Sequence, residues 1–343
     1  MAELLANHTT FRLGGPAARW VEPESEADLI AAVAAADVAG EPVLVLGGGS
    51  NLLVADDGFA GTVIHTGGVR GVRSEDVAAC SGAFIEVACG EPWDAFVASR
   101  VDAGQAGIEA LSGIPGLVGA TPIQNVGAYG QEVAQTIARV RCWDRREQAV
   151  HTFSAVDCGF GYRSSRFKSE AGRWVVLSVS FQFRLGEASG PVRYGELAAS
   201  LGIEPGERAP LAEVRDAVLA LRRGKGMVLD PDDHDTWSAG SFFTNPVLAD
   251  PSLLPPGAPA FPQPGGGVKT SAAWLIEHAG FNRGYGNGLA RVSTRHTLAL
   301  TNRGGARTAE VVQLAREIRD GVQGAYGITL APEPVLVGVS LDS

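Results

Sequence analysis

Residues 42 to 51 read Pro42-Val43-Leu44-Val45-Leu46-Gly47-Gly48-Gly49-Ser50-Asn51. The apolar run after the proline predicts a short buried strand, and the chain passes from it directly into three glycines followed by two small polar residues. At such a place an α/β sheet offers backbone N–H groups to a ligand. A plain strand-to-loop turn accounts for the same residues. Ahead of the strand, Ser25 caps a predicted helix running to about Val38, with Asp28 at the third helical position and Gly40 closing it. Together these predict an N-terminal α/β unit.

Outward from this unit, β-rich runs such as Thr62–His65 and Trp174–Phe183, separated by glycine loops, predict an α+β region from about 62 to 185. A helix from about Leu211 to Arg223 puts Leu211, Val214, Val218 and Leu221 on one face, and Gly224 stops it. Composition then changes, with Asp230-Pro231-Asp232-Asp233 and a proline-rich stretch from Pro251 to Pro264. Near the end Thr308 reads as the N-cap of a helix carrying Val311, Leu314, Ala315, Ile318 and Val322 at helical spacing. Val335-Leu336-Val337-Gly338-Val339 reads as a strand, and no internal repeat is present.

A chain of 343 residues holds two or three domains, room enough for a cofactor and a substrate. Its 45% hydrophobic and 19% charged residues describe an ordered globular protein, and its 45 glycines exceed the usual share of about 7%. Excess glycine means tight turns or close approaches of backbone to a ligand. A formal net charge of -10 disfavours nucleic acid and acidic membranes as partners. With no basic segment leading into an apolar one at the N-terminus and no run of about 18 apolar residues, no membrane insertion is expected, and the cytoplasm is the expected location. Cys80, Cys89, Cys142 and Cys158 show neither a CxxC pair nor zinc spacing, so free thiols and no metal are expected. Asn7-His8-Thr9 fits a glycosylation sequon that has no export signal to make it meaningful.

Several segments have the composition of chemistry. Gly113-Ile114-Pro115-Gly116-Leu117-Val118-Gly119-Ala120-Thr121-Pro122-Ile123-Gln124-Asn125-Val126-Gly127-Ala128-Tyr129-Gly130 is dense in glycine and free of charge, as a backbone that must touch a pyrophosphate would be. It matches neither GxGxxG nor GxxxxGK[ST], which disfavours a Rossmann fold and a P-loop kinase; a structural Ω-loop is the plainer account. In Gly159-Phe160-Gly161-Tyr162-Arg163-Ser164-Ser165-Arg166-Phe167-Lys168, Arg163 can pair with a carboxylate in a two-pronged geometry, or simply sit in a basic turn. Arg193-Tyr194-Gly195 and Arg222-Arg223-Gly224-Lys225-Gly226 supply groups suited to phosphates. Glu333 lies between Pro332 and Pro334. Trp237-Ser238-Ala239-Gly240-Ser241-Phe242-Phe243-Thr244-Asn245-Pro246 sets a hydroxyl beside a glycine turn and two aromatics with no neighbouring His after it, which reads as a proton donor or as a turn into a buried strand.

In combination these pieces resemble the UDP-N-acetylenolpyruvoylglucosamine reductase (UDP-N-acetylmuramate dehydrogenase) family, flavoenzymes of peptidoglycan precursor synthesis. The matching segments run nearly the whole chain: Asn7 to Gly15, Gly47 to Asn51, Ile114-Pro115-Gly116, Pro122 to Gly130, Phe160 to Arg163, Ala239 to Phe243 with Asn245-Pro246, and Pro332-Glu333. The resemblance implies an α+β chain whose FAD-binding fold is of the vanillyl-alcohol oxidase (PCMH) type in two subdomains, with a C-terminal α+β substrate-binding domain. Residues 1–60, completed by 326–343, and 61–225 correspond to the flavin subdomains, and 226–325 to the substrate domain.

The implied reaction is NADPH-dependent reduction of UDP-N-acetylglucosamine enolpyruvate to UDP-N-acetylmuramate, with non-covalent FAD receiving hydride from NADPH and passing it from N5 to the vinyl carbon. Gly47, Gly48, Gly49, Ser50, Asn51, Gly113, Ile114, Pro115, Gly116, Thr121, Gln124, Asn125, Gly127, Ala128 and Tyr129 match the flavin contacts. Arg163 and Glu333 match the residues that stabilise charge developing toward the substrate carboxylate, and Ser241 matches the general acid. Tyr194 and Lys225 match contacts to the substrate diphosphate, Tyr194 placing the chain in the subclass with a tyrosine loop; Tyr162, Asn245 and His296 are further substrate-side matches. The chain departs from the commonest forms in a longer segment between Lys225 and Ser241 and in Thr244, where a basic residue is frequent. A monomer is expected. An oxidase of the same flavin superfamily would turn over without NADPH, and a noncatalytic flavin or nucleotide-sugar binder would show no hydride transfer.

Overall fold

The computed structural model describes residues 2–78, 82–263 and 266–342. The chain divides into two compact units, one of residues 18–48 and 60–224, the other of 1–17, 49–59 and 225–343. Among the described residues no helix is long and apolar enough to cross a membrane.

The first unit begins with the predicted helix, Glu26–Val38, whose N-cap Ser25 hydroxyl accepts the Asp28 N–H at 3.1 Å. Leu29, Val33 and Ala36 are its buried face. Strand Val43–Leu46 follows and runs parallel to Phe59–His65, which also pairs with Ala17–Val21. A separate antiparallel sheet has the order Ala149–Ser154, Ile137–Asp144, Trp174–Leu185, Gly82–Ala88, Val72–Ala78, and Gln105–Ala106 pairs with the long strand Trp174–Leu185. That strand has a nearly continuous buried run from Val175 to Phe181, as a central strand should. Against it, helix Trp93–Asp102 packs Trp93 and Phe96 on Phe181 and Phe183, with ring centroids 5.3 to 6.1 Å apart. Helix Leu211–Gly224 buries Leu211, Val214 and Val218, with Leu221 half-buried beside them. Cys89, Cys142 and Cys158 are free and buried; burial pushes the Cys89 and Cys158 thiols up to about 12, and the Cys142 thiol up as well. Cys80 lies outside the described residues.

The second unit is built on helix Thr308–Tyr326, which buries Val311, Leu314, Ala315, Ile318 and Val322 along one face. Phe11, Phe242, Phe243, Leu275 and Ile276 complete that core. Strand Val335–Val337 runs parallel to Leu52–Val54, and a hairpin joins Ala290–Val292 to Leu300–Asn302. Thr308 is not the cap of its helix: Arg307 occupies that position and Thr308 is the first helical residue. The reason is long-range. The Thr308 hydroxyl donates to the Val54 carbonyl at 2.6 Å, and the Asp56 carboxylate accepts the N–H groups of Thr308 and Ala309 at 2.8 and 3.1 Å, so an acidic side chain about 250 residues away caps the positive end of the helix.

Gly49 is held at φ +57°, and a Cβ there would sit 1.9 Å from the His8 carbonyl oxygen; Gly40, at φ +66°, faces nothing within 4 Å. Gly40→Ala therefore costs only the left-handed backbone penalty, about 1 kcal/mol, whereas Gly49→Ala displaces backbone and exceeds about 4 kcal/mol. Urea denaturation of the two variants checks this, and equal losses would contradict it.

Candidate active site

The glycine loops of the first unit touch backbone to backbone. A Cβ on Gly48 would come within 2.7 Å of the Gly116 Cα, so the loop after Val43–Leu46 and the loop 113–116 approach at a distance only glycine permits. Helix Trp93–Asp102 anchors the second loop: Trp93 N–H donates to the Gly116 carbonyl at 3.0 Å, and the Asp94 carboxylate accepts the Gly113 N–H at 2.6 Å. Asp94 is held in turn by a two-pronged pair with Arg215 at 2.7 and 3.0 Å, and Arg222 reaches the Gly113 carbonyl at 3.4 Å. Ile114, Pro115 and Gly116 are half-buried beside fully covered neighbours.

Thr121 and Asn125 hold the next part of the loop from inside. Thr121 donates its hydroxyl to the Val118 carbonyl at 2.8 Å. Asn125, buried, donates to the Glu132 carboxylate at 2.8 Å and the Gly161 carbonyl at 3.0 Å and accepts the Ala134 N–H at 3.1 Å. One side chain thus joins the segment 121–134 to the turn carrying Tyr162 and Arg163. Arg163 closes the link from the other side, its guanidinium donating to the Gly127 carbonyl at 2.8 Å and lying over the Tyr162 ring at 5.5 Å. Tyr194, at the N-cap of helix Gly195–Leu201, meets the Tyr129 ring edge to face at 5.3 Å. Gln124 and Ala128 lie half-buried in the same segment.

Backbone conformation marks the same residues. Among the described residues five that are not glycine have positive φ, and three of them are Asn125 at 48°, Tyr129 at 48° and Arg163 at 51°. Each such residue costs about 1–2 kcal/mol, and strain of this kind concentrates where side chains must be aimed.

The second unit assembles the remaining candidates around Phe242. Its N–H donates to the Leu298 carbonyl at 2.7 Å and its carbonyl accepts the Glu333 N–H at 2.8 Å. With Phe242 and Phe243 buried and Gly240 turning the chain at φ +73°, the half-buried Ser241 is fixed on one side of Phe242, beside the strand that brings in Glu333. Asn51 donates its side-chain amide to the Glu333 carbonyl at 3.3 Å, and its own carbonyl accepts the Val335 N–H at 2.9 Å. Gly49 is tied to the N-terminal segment through its carbonyl, which accepts the Thr10 N–H at 3.2 Å; among the described residues no protein acceptor takes the N–H groups of Gly49 and Ser50. Asn245 uses its side-chain carbonyl to cap helix Ala272–His278 at the Ala272 N–H, 2.9 Å away, which leaves its amide as the group that donates. His296 accepts the Leu298 N–H on Nδ1 at 3.2 Å, putting the proton of the neutral ring on Nε2. Lys225 is half-buried where the chain re-enters this unit.

Thus Ser241, Glu333, Asn51 and His296 share one unit, while Arg163, Tyr162, Tyr194 and the loop 113–129 belong to the other. Three supporting carboxylates were not read from the sequence. Asp94 was legible as an acidic first-turn residue after Pro92, a helix-start signal; Glu132 carried no signal, and Asp235 was visible only as part of an acidic run. Asp144, Glu147 and His151 come together closely enough for a metal ion, but Arg173 occupies the first two carboxylates at 2.6 and 3.3 Å and His151 pairs with Glu147.

A family model described as "FAD binding domain" matches residues 17–152, and one described as "UDP-N-acetylenolpyruvoylglucosamine reductase, C-terminal domain" matches 230–337. The UDP-N-acetylenolpyruvoylglucosamine reductase of Cutibacterium acnes is 57% identical over 98% of this chain and 90% of its own, and that of Streptomyces coelicolor is 55% identical over the same shares. The chain belongs to the UDP-N-acetylenolpyruvoylglucosamine reductase family. Its fold is similar to the crystal structure of the reductase from Thermus caldophilus, with a TM-score of 0.66 at 27% identity over 98% of both chains. The chain is an α+β FAD-dependent oxidoreductase with the PCMH-type flavin fold. The residues of the first unit fit that cofactor: glycine backbones packed too closely for any side chain, and strained residues aimed by buried anchors.

Asp94 gives this arrangement a pH dependence. Burial pushes its carboxyl up, but Arg215, the Gly113 N–H and Arg222 more than reverse this and hold it below the usual carboxylate range. A depressed folded value means the stabilisation is complete above the unfolded carboxylate value of about 4 and is lost as pH falls through the folded one. Asp94→Asn is expected to cost about 1 kcal/mol at neutral pH, solvent keeping the figure low, and the difference from the unmodified protein should vanish on acidification. Urea midpoints measured across pH test this; a difference constant with pH would refute it.

Proposed function

We infer that this chain reduces UDP-N-acetylglucosamine enolpyruvate to UDP-N-acetylmuramate with NADPH as reductant, through bound FAD, in peptidoglycan precursor synthesis. Bound FAD would supply a two-electron carrier between NADPH and the vinyl carbon of the substrate. The chain's own residues then have to bind an anionic substrate, hold its carboxylate as charge grows there, and deliver a proton to the adjacent carbon.

The observation that carries this reading is the pair of backbone hydrogen bonds at Phe242, which sets the Ser241 hydroxyl and Glu333 on one short stretch of the same unit. Ser241 is assigned as the proton donor. An unperturbed serine is a poor acid, so it acts only where rigid neighbours fix its geometry, as buried Phe242 and the Gly240 turn do here. Arg163 and Glu333 are assigned to the substrate carboxylate. Arg163 suits this because one prong of its guanidinium is already committed to the Gly127 carbonyl, which fixes the fork's orientation. Glu333 serves it as a hydrogen-bond donor, a role that requires its carboxyl to be protonated or strongly coupled to a neighbour. Tyr194 and Lys225 are assigned to the diphosphate, and Tyr162, Asn245 and His296 to further substrate contacts; the exposed Tyr194 ring supports the tyrosine-loop subclass. On this reading 1–60 with 326–343 and 61–225 carry the flavin, 226–325 carries the substrate, and the enzyme works as a cytoplasmic monomer.

Anaerobic stopped-flow absorbance separates the steps. NADPH is expected to bleach the flavin band and the enolpyruvyl substrate to restore it. Ser241→Ala should leave bleaching intact and slow recovery by about 10²- to 10⁴-fold, the usual scale for a lost general acid. Reduced flavin that ignores the enolpyruvyl substrate and recovers only with oxygen would point to an oxidase instead.

A further inference from the structure

Asp235 lies in the acidic segment between Lys225 and Ser241, yet its side chain is buried. It accepts the Thr294 N–H at 2.9 Å and the Thr294 hydroxyl at 2.6 Å, and Arg303 approaches it at 2.9 Å. Asp233 adds an ion pair to Arg295 at 2.7 Å, and the Trp237 carbonyl accepts the Asn302 N–H at 3.0 Å. The segment is therefore tied to the loop between Val292 and Leu300 through Thr294 and Arg295, and to the end of the following strand through Asn302 and Arg303. Burying a carboxylate is unfavourable unless several donors meet it, and its two hydrogen bonds here both come from Thr294 of that loop.

That loop in turn controls Phe242. Within it Ser293 accepts the N–H groups of Arg295 and His296 at 3.1 and 3.3 Å, and His296 Nδ1 accepts the Leu298 N–H. The Leu298 carbonyl then accepts the Phe242 N–H, one residue from Ser241. We propose that Asp235 is a positioning residue for proton delivery: its carboxylate fixes the turn 293–298, which fixes Phe242 and so the Ser241 hydroxyl. The bond pattern reaches Asn51 and Gly49 of the segments assigned to the flavin only indirectly, Asn51 through Glu333 beyond Phe242 and Gly49 through Thr10 and Ser238. The inference rests on the assignment of Ser241 as proton donor.

Asp235→Asn keeps the shape and removes the charge. Thr294→Val removes one of the bonds at an exposed position where folding is not at risk, and Thr294→Ser restores the hydroxyl. Reoxidation of reduced enzyme by the enolpyruvyl substrate is expected to slow by about 10- to 100-fold in Asp235→Asn and by less in Thr294→Val, the scale of a small misplacement of a reacting group. Reduction by NADPH should stay within about twofold, and Thr294→Ser should recover. Amide hydrogen exchange at Phe242 should quicken in the two slowed variants and not in Thr294→Ser. Equal slowing of both half-reactions, unchanged reoxidation, or unchanged exchange at Phe242 would overturn the proposal. Should the unmodified enzyme fail to reoxidise with the enolpyruvyl substrate, it is the functional assignment that falls, whereas exchange at Phe242 still reports on the Asp235 linkage.

Discussion

The second unit's candidate residues depend on two hydrogen bonds made by a single residue. Phe242 gives its N–H to Leu298 and takes the N–H of Glu333, so three chain segments distant in sequence are brought to a single point. Neither bond is strong by itself, each worth about 1 kcal/mol net. What makes the point rigid is that the Phe242 and Phe243 rings are wholly buried, meeting each other at 5.1 Å and Phe11 at 6.5 Å, so the backbone cannot shift without opening the core. The catalytic assignment of Ser241 and Glu333 is thus inseparable from the core that those rings share with helix Thr308–Tyr326.

The first unit solves a different problem by a different means. A dinucleotide needs backbone close to it, and backbone can be brought close only where side chains are missing or turned away. Gly48 and Gly116 meet that need by having no side chain. Asn125, Tyr129 and Arg163 meet it by adopting left-handed backbone, which turns their side chains where a regular strand would not. The energy of that strain is offset by buried contacts of the same residues, Asn125 with three hydrogen bonds and Arg163 with its bond to Gly127. A loop restrained in this way presents the same groups before and after a ligand arrives, so little ordering entropy is lost on binding.

Helices and strands with a clear apolar period were legible because their signals are local: the helix capped by Ser25, the strand Val43–Leu46 and the face Val311 to Val322 all depend on residues within a few positions of one another. The candidate site residues were read through resemblance and through glycine content, since glycine concentrated at one place marks backbone that must turn tightly or approach something closely. Thr308 shows what local reading misses. Its hydroxyl is a good cap by type, but Asp56 takes that role and the hydroxyl goes to Val54. Asp235 was hidden for the same reason, for a carboxylate that supports a loop elsewhere in the chain looks, in sequence, like any surface acid.

That blindness has a physical basis which also explains why such acids matter. A surface carboxylate is held by water and can be replaced with little effect, whereas one that has lost its water must be matched by donors, and those donors lose their freedom in return. Asp235 shows the balance directly: burial pushes its carboxyl up, yet the Thr294 hydroxyl and N–H, together with Ser293 and Arg303, bring it below the ordinary range. It stays charged because the loop has been shaped to it. Conversely, the loop has its shape because the charge is there. A hydroxyl that must donate a proton to carbon gains nothing from being near a flexible turn, and gains a defined direction from one fixed at both ends.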